Sequence, residues 1–178
     1  MGGTHTKTCP TRADLEYLTQ QTIYDKETIQ AWYGVFNKQA KNGRLSIRQF
    51  VTLFRSFFPD RNSDQFCEHV FRTFNTSNSG ELSFREFLIA IHVTAQGSQE
   101  EKLRWTFRLY DVNGDGILTF EEVCEVLEAS TDLRGEDRYR KKTQKITEEI
   151  FINMENDGLG GLTEEQFVEN CLQFGEEV

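Results

Sequence analysis

Asp111, Asn113 and Asp115 put oxygen-bearing side chains at every second position, and Glu122 follows after a glycine turn at Gly116. The pattern D-x-N-x-D-G-x5-E gathers hard oxygen donors around one divalent cation. The three alternating side chains converge on it, Ile117 offers its backbone carbonyl, and Thr119 can ligate through a water. Glu122 closes the shell as a bidentate carboxylate from the first turn of the following helix. The chemistry is calcium coordination, with magnesium as a candidate ion at rest.

Such a loop works only between two helices, and the chain supplies that setting repeatedly. Gly43, Gly80, Gly116 and Gly160 recur at intervals of 37, 36 and 44 residues, the mark of a repeated unit. Two residues after each glycine stands Leu45, Leu82, Leu118 or Leu162, predicting a short strand that pairs with its neighbour. Five residues further come Phe50, Phe87, Val123 and Phe167, the expected inner anchors of the exiting helices. Ser46-x-x-Gln49, Ser83-x-x-Glu86, Thr119-x-x-Glu122 and Thr163-x-x-Gln166 are capping boxes that start those helices. The prediction is an all-α fold of four helix-loop-helix units in two paired lobes, with two-stranded pairings between loops. Residues 1–25 form an arm and first helix, 26–97 hold units one and two, and 98–178 hold units three and four.

A glutamine at the last ligand position keeps the helix cap but loses the charge, so the four loops need not all bind metal. Loop one has Lys38 near its first ligand position and Gln49 at its last, and it is one residue longer before the glycine. It is expected to be inactive. Loop two runs Asn75, Ser77, Ser79, Glu81, Ser83, Glu86; its spacing is right, but Glu86 is its sole ligating side-chain carboxylate. Loop four, in the repeat register, runs Glu155, Asp157, Leu159, Gly160, Thr163, Gln166 and lacks the closing carboxylate. A shifted register from Asn153 through Glu155, Asp157 and Gly158 to Glu164 also fits the ligand pattern. Whether loops two and four bind metal stays open at this point, and one strong site is expected.

The net charge of −9 argues against nucleic acid as a partner. Cys9, Cys67, Cys124 and Cys171 are widely spaced, which predicts free thiols in a reducing compartment. No apolar run reaches transmembrane length. No nucleophile-and-base pair, P-loop or paired catalytic carboxylate stands out, so an enzyme is not expected. Met1-Gly2-Gly3-Thr4-His5-Thr6 matches the acceptor pattern for N-myristoylation at Gly2. One such chain binds membrane only marginally, which makes residence reversible. Cys9 is either a second acylation site or an ordinary thiol.

Taken together, the Gly2 acceptor, the four units and the altered first loop resemble the neuronal calcium sensor family of EF-hand proteins. That family includes the recoverin, visinin-like, neurocalcin, frequenin and guanylate cyclase activator types. Trp32-Tyr33…Phe36, Phe57-Phe58-Pro59-Asp60, His69-Val70-Phe71-Arg72-Thr73-Phe74 and Lys102 to Asp111 carry the same resemblance. It implies two EF-hand pairs and calcium-driven exposure of the myristoyl group and of an apolar groove. In the family the first loop usually has Cys-Pro where this chain has Ala40-Lys41, and the second begins with Asp where this chain has Asn75.

Trp32, Tyr33, Phe36, Phe50, Phe54, Phe57, Phe58, Phe84, Phe87 and Ile91 concentrate in units one and two. Several are expected to line a groove for an amphipathic helix of a membrane-associated target, such as an enzyme, receptor kinase or channel. Arg134, Arg138, Arg140, Lys141, Lys142 and Lys145 form a basic run that reads as a solvated linker or a contact for anionic headgroups. The expected protein is a cytoplasmic calcium sensor, peripheral on the inner face of membranes. The alternative is a constitutive regulatory subunit with metal in a structural role. A buffer is disfavoured, because one strong site per chain buffers poorly.

Overall fold

Hydroxyl and carboxyl caps set where the helices begin. Thr11 accepts from the Asp14 amide at 3.1 Å and its own amide donates to the Asp14 carboxylate, starting α1 (Arg12–Gln21). The Asp25 side chain caps α2 (Lys26–Gln39) by accepting from the Thr28 amide, and Ser98 with Glu101 forms a capping box that starts α6 (Gln99–Tyr110). The computed structural model describes residues 9–40, 42–57, 64–131, 151 and 160–175. Gly2, the basic run from Arg134 to Lys145 and the first half of loop four lie outside them.

Units one to three form as expected, and of unit four the strand and exiting helix are described. Between α2 and α3 (Ile47–Phe57) lies β1 (Arg44–Ser46), and between α4 (Asp64–Phe74) and α5 (Phe84–Gln96) lies β2 (Glu81–Ser83). These strands pair antiparallel with Leu45 opposite Leu82. In the second half, β3 (Ile117–Leu118) precedes α7 (Phe120–Thr131), and β4 (Leu162–Thr163) precedes α8 (Glu164–Gly175). Here Leu118 faces Leu162. All four leucines are fully buried, so each loop pair is pinned by a backbone ladder and by apolar burial together. Phe50, Phe87, Val123 and Phe167 are buried as anchors.

Two apolar clusters result. The larger joins Leu18 of α1, Ile29 and Phe36 of α2, Phe50, Phe71, Phe74, Phe84 and Phe87. Its rings meet edge-on or tilted, with Phe36 5.4 Å from Phe87 and Phe50 5.5 Å from Phe74. Such contacts add about 0.5–1.5 kcal/mol per pair beyond area burial. Leu109 of α6 and Val126 of α7 also belong to this cluster, so the first half of the chain shares its core with unit three. The smaller cluster holds Phe107, Leu118, Val123, Leu162, Phe167 and Val168.

Helix α1 is tied to α5 by Arg85, whose Nε donates to Asp14 at 2.7 Å while its guanidinium lies 4.6 Å from the Tyr17 ring centre. The chain passes from α5 to α6 through Gly97, whose amide donates to the His92 and Val93 carbonyls. A Cβ at Gly97 would stand 2.5 Å from the Val93 oxygen, so this close passage requires glycine.

The aromatic residues of units one and two divide between the core and its margin. Phe36, Phe50, Phe84 and Phe87 are core, while Trp32, Tyr33, Phe54 and Ile91 are only partly buried and pack against it. Phe58 lies outside the described residues. Replacing Phe87 with alanine is predicted to destabilise the first half by about 3–5 kcal/mol, because the cavity sits among rings that cannot collapse into it. Equilibrium urea unfolding measures that loss.

Candidate metal centre

Loop three is wired by its own backbone amides. Asp111 ends α6 and is 7% exposed; its two carboxylate oxygens accept from Gly114 at 2.8 Å and from Gly116 at 3.2 Å. Asn113 accepts from the Asp115 amide at 2.7 Å, and Asp115 accepts from the Ile117 amide at 2.8 Å. Gly116 sits at φ +83°, a left-handed conformation that glycine adopts without strain and that turns the chain into β3.

Glu122 spans the mouth. One oxygen accepts from Thr119 at the start of α7, completing the capping box, and the other accepts from the Val112 and Asn113 amides at 3.1 Å. The closing carboxylate therefore stands beside the first ligands. Burial pushes its pKa up, but the Thr119 and Asn113 donors outweigh burial and hold it below the usual glutamate value. It is ionised at neutral pH, as a calcium ligand must be.

The five sequence-predicted residues Asp111, Asn113, Asp115, Ile117 and Glu122 are thus in one loop, with three carboxylates and an all-oxygen donor set that fits calcium. Among the described residues no three His, Cys, Asp or Glu side chains are drawn together closely enough to grip an ion by themselves. In loop three the Asp111, Asp115 and Glu122 carboxylates each accept from backbone amides.

Loop two repeats this frame with the charge removed. Asn75, 7% exposed like Asp111, accepts from the Ser79 amide at 3.2 Å, and Gly80 turns at φ +77°. Glu86 accepts from Ser83 at the helix start and from the Ser77 amide at 3.0 Å. Its pKa is lowered like that of Glu122, by the Ser83 and Ser77 donors acting against burial. The Ser79 hydroxyl donates to the Glu81 carbonyl at 2.7 Å, satisfying the loop internally.

Loop one is closed by an amide. Gln49 accepts from Ser46 at 2.9 Å and donates its Nε2 to the Gln39 carbonyl at 2.8 Å, stitching the ends together with neutral groups. In loop four, Gly160 has φ +69° and Leu162 pairs with Leu118, which is the repeat register. Gln166 caps α8 by accepting from the Thr163 amide at 2.9 Å. Glu164, the closing ligand of the shifted register, lies 3.5 Å from the Arg104 guanidinium. Asn153, Glu155, Asp157, Gly158 and Leu159 lie outside the described residues.

One participant was not visible in the sequence. Arg72 of α4 donates to the Asp111 carbonyl at 2.6 Å and to the Leu109 carbonyl at 2.8 Å, holding the end of α6 where loop three begins. Nothing in the local pattern around Arg72 signals a contact across 39 residues of chain.

The EF hand domain family matches residues 102–130, which contain loop three and both flanking helices. S-modulin of Aquarana catesbeiana is 33% identical over 165 residues, covering 89% of this chain and 82% of that protein. Recoverin of Homo sapiens is 34% identical over 164 residues, with the same coverage. This chain belongs to the neuronal calcium sensor family. Visinin of Gallus gallus is 37% identical over 118 residues, covering 66% of this chain and 62% of that protein. The family comprises EF-hand calcium sensors and not enzymes, and this chain is a calcium-sensing member of it. Among the described residues no helix is long and apolar enough to cross a membrane.

Because loops two and three share one hydrogen-bond frame, charge alone should separate them. The combined substitutions Asn75→Asp, Ser77→Asp and Ser79→Asp are predicted to give loop two an ion site, adding one equivalent of calcium in isothermal titration.

Proposed function

We propose that this chain senses calcium through loop three alone and hands the signal to a membrane-associated target. The observation that carries the reading is the matched pair of loops: side-chain ligand positions hold three carboxylates in loop three and one, Glu86, in loop two. The ion would be held by Asp111, Asn113, Asp115 and Glu122 side chains and the Ile117 carbonyl. Bound there, it supplies two positive charges that offset three closely spaced negative ones. Glu122 is the proposed moving part, because it is the ligand carried by the exiting helix α7. It lies in the first turn of α7, so its movement reorients that helix.

Gly2 is the proposed myristoylation site and gives reversible attachment to the inner face of membranes from the cytoplasm. The target contact is proposed to be an amphipathic helix of an enzyme, receptor kinase or channel. A cavity of about 270 Å³ lined by Phe50, Phe54, Phe66, Phe87, Ile91 and Trp105 supports an apolar docking site for it. Magnesium is the proposed occupant of loop three at rest.

One observation favours the second reading, a constitutive regulatory subunit: loops one and two are closed by hydrogen bonds to Gln49 and Glu86 without an ion. The two readings part on calcium dependence. Isothermal titration of the acylated full-length chain is expected to give one calcium per chain, weakened on the order of 100-fold by Glu122→Gln. Sedimentation with phosphatidylserine vesicles is expected to depend on calcium in the parent and not in that variant. Calcium-independent sedimentation of both would favour the constitutive subunit.

A further inference from the structure

Helix α4 touches both arms of unit three, and it holds them unequally. Toward α6 its grip is firm: two guanidinium nitrogens of Arg72 donate to two carbonyls at the helix end, those of Leu109 and Asp111, two residues apart. Charge-assisted bonds to the negative end of a helix are the strong kind. Toward α7 its grip is loose. His69 approaches Glu125 only at 3.8 Å, and burial holds the imidazole below its ordinary pKa, so this is not a firm ion pair at neutral pH. A cavity of about 360 Å³ bounded by Glu68, His69, Arg72, Val112 and Glu125 separates the two helices further. Val126 of α7 nevertheless enters the core built by units one and two.

The Arg72 guanidinium is half-buried and incompletely satisfied. Its Nε–H is buried without a hydrogen-bond partner among the described residues. Burial lowers its pKa while Asp111, Glu122 and Glu125 pull it back up, which identifies the carboxylates that surround it. A side chain placed there for stability alone would be expected to use all its donors. One that fixes a single pair of carbonyls, beside open space, is suited to holding one helix while another moves.

We propose that Arg72 is the residue that couples loop three to the N-terminal half of the protein. By fastening α4 to the fixed arm α6, it turns any rotation of α7 against α6 into a displacement of α7 against α4. Val126 is then drawn out of, or driven into, the first core, and units one and two respond although their own loops carry little charge. The inference rests on the reading that loop three binds calcium. It explains how one ion site can govern both halves.

The test uses the full-length chain with Trp105→Phe, which leaves Trp32, 6.0 Å from the Phe87 ring in the first core, as the remaining tryptophan. Calcium is titrated while heat and Trp32 emission are followed together. In the parent, one ion binds and Trp32 emission changes with it. Arg72→Met keeps the stem but removes the donors and the charge. It is expected to bind calcium roughly fivefold or more tightly, freed of the constraint, with the Trp32 change lost. Arg72→Lys keeps the charge without the two-pronged geometry; its calcium affinity should stay near the parent's while the Trp32 change still falls. Should Arg72→Met fail to fold, the Trp32 amplitude of Arg72→Lys decides. A Trp32 response of parental size in a calcium-binding Arg72 variant would overturn the coupling role. Absence of calcium binding in the parent would instead overturn the loop-three reading beneath it.

Discussion

In loops two and three a single glutamate carboxylate does two jobs at once. It caps the exiting helix through Ser83 or Thr119, and it accepts from an amide at the loop's beginning. That bridge fixes the distance between the end of one helix and the start of the next. The geometry of the loop, the pairing of its strand and the angle between its helices all follow from it. Where glutamine replaces glutamate, as at Gln49 and Gln166, the cap survives and the charge does not. The fold can therefore be kept in four units while the ion chemistry is concentrated in one.

Charge decides what such a frame can do. The three carboxylates at ligand positions, Asp111, Asp115 and Glu122, repel one another, and amide donors relieve that repulsion only in part. On the proposed reading, loop three gains more from a divalent cation than loop two, whose Ser79 hydroxyl is bonded to its own backbone. The shared core adds the second constraint. Leu109 and Val126 from the two helices of unit three reach into the cluster of the first half, so neither half is packed independently of the other.

Much of this was legible in the sequence because it is local. The glycines, the leucines two residues later and the capping boxes each act over a few residues, and all appear where their spacing put them. The residues proposed as ligands of loop three lie in one local stretch for the same reason, as do the hydroxyl and amide groups that replace them in loop two. What the spacing could not convey is long-range. The Arg72 clasp joins residues 39 apart, and the Arg85–Asp14 bridge that docks α1 joins residues 71 apart. The division of aromatic residues between core and surface was also hidden, since a helix face shows that Phe36 and Tyr33 are apolar but not how deeply a neighbouring helix covers each. Phe36 is fully buried against Phe84 and Phe87, whereas Tyr33 packs from the edge.

The claim that loop three alone carries enough ligand charge to hold calcium is tested most directly by following backbone amides of the uniformly ¹⁵N-labelled chain by NMR during a calcium titration. The Gly116 amide donates to Asp111, so it should shift as that carboxylate takes up an ion, and the shift should saturate at one equivalent. The Gly43 and Gly80 amides should show no saturation of their own at that point. A Gly80 amide that saturates first, or a Gly116 amide that never moves, would contradict the account.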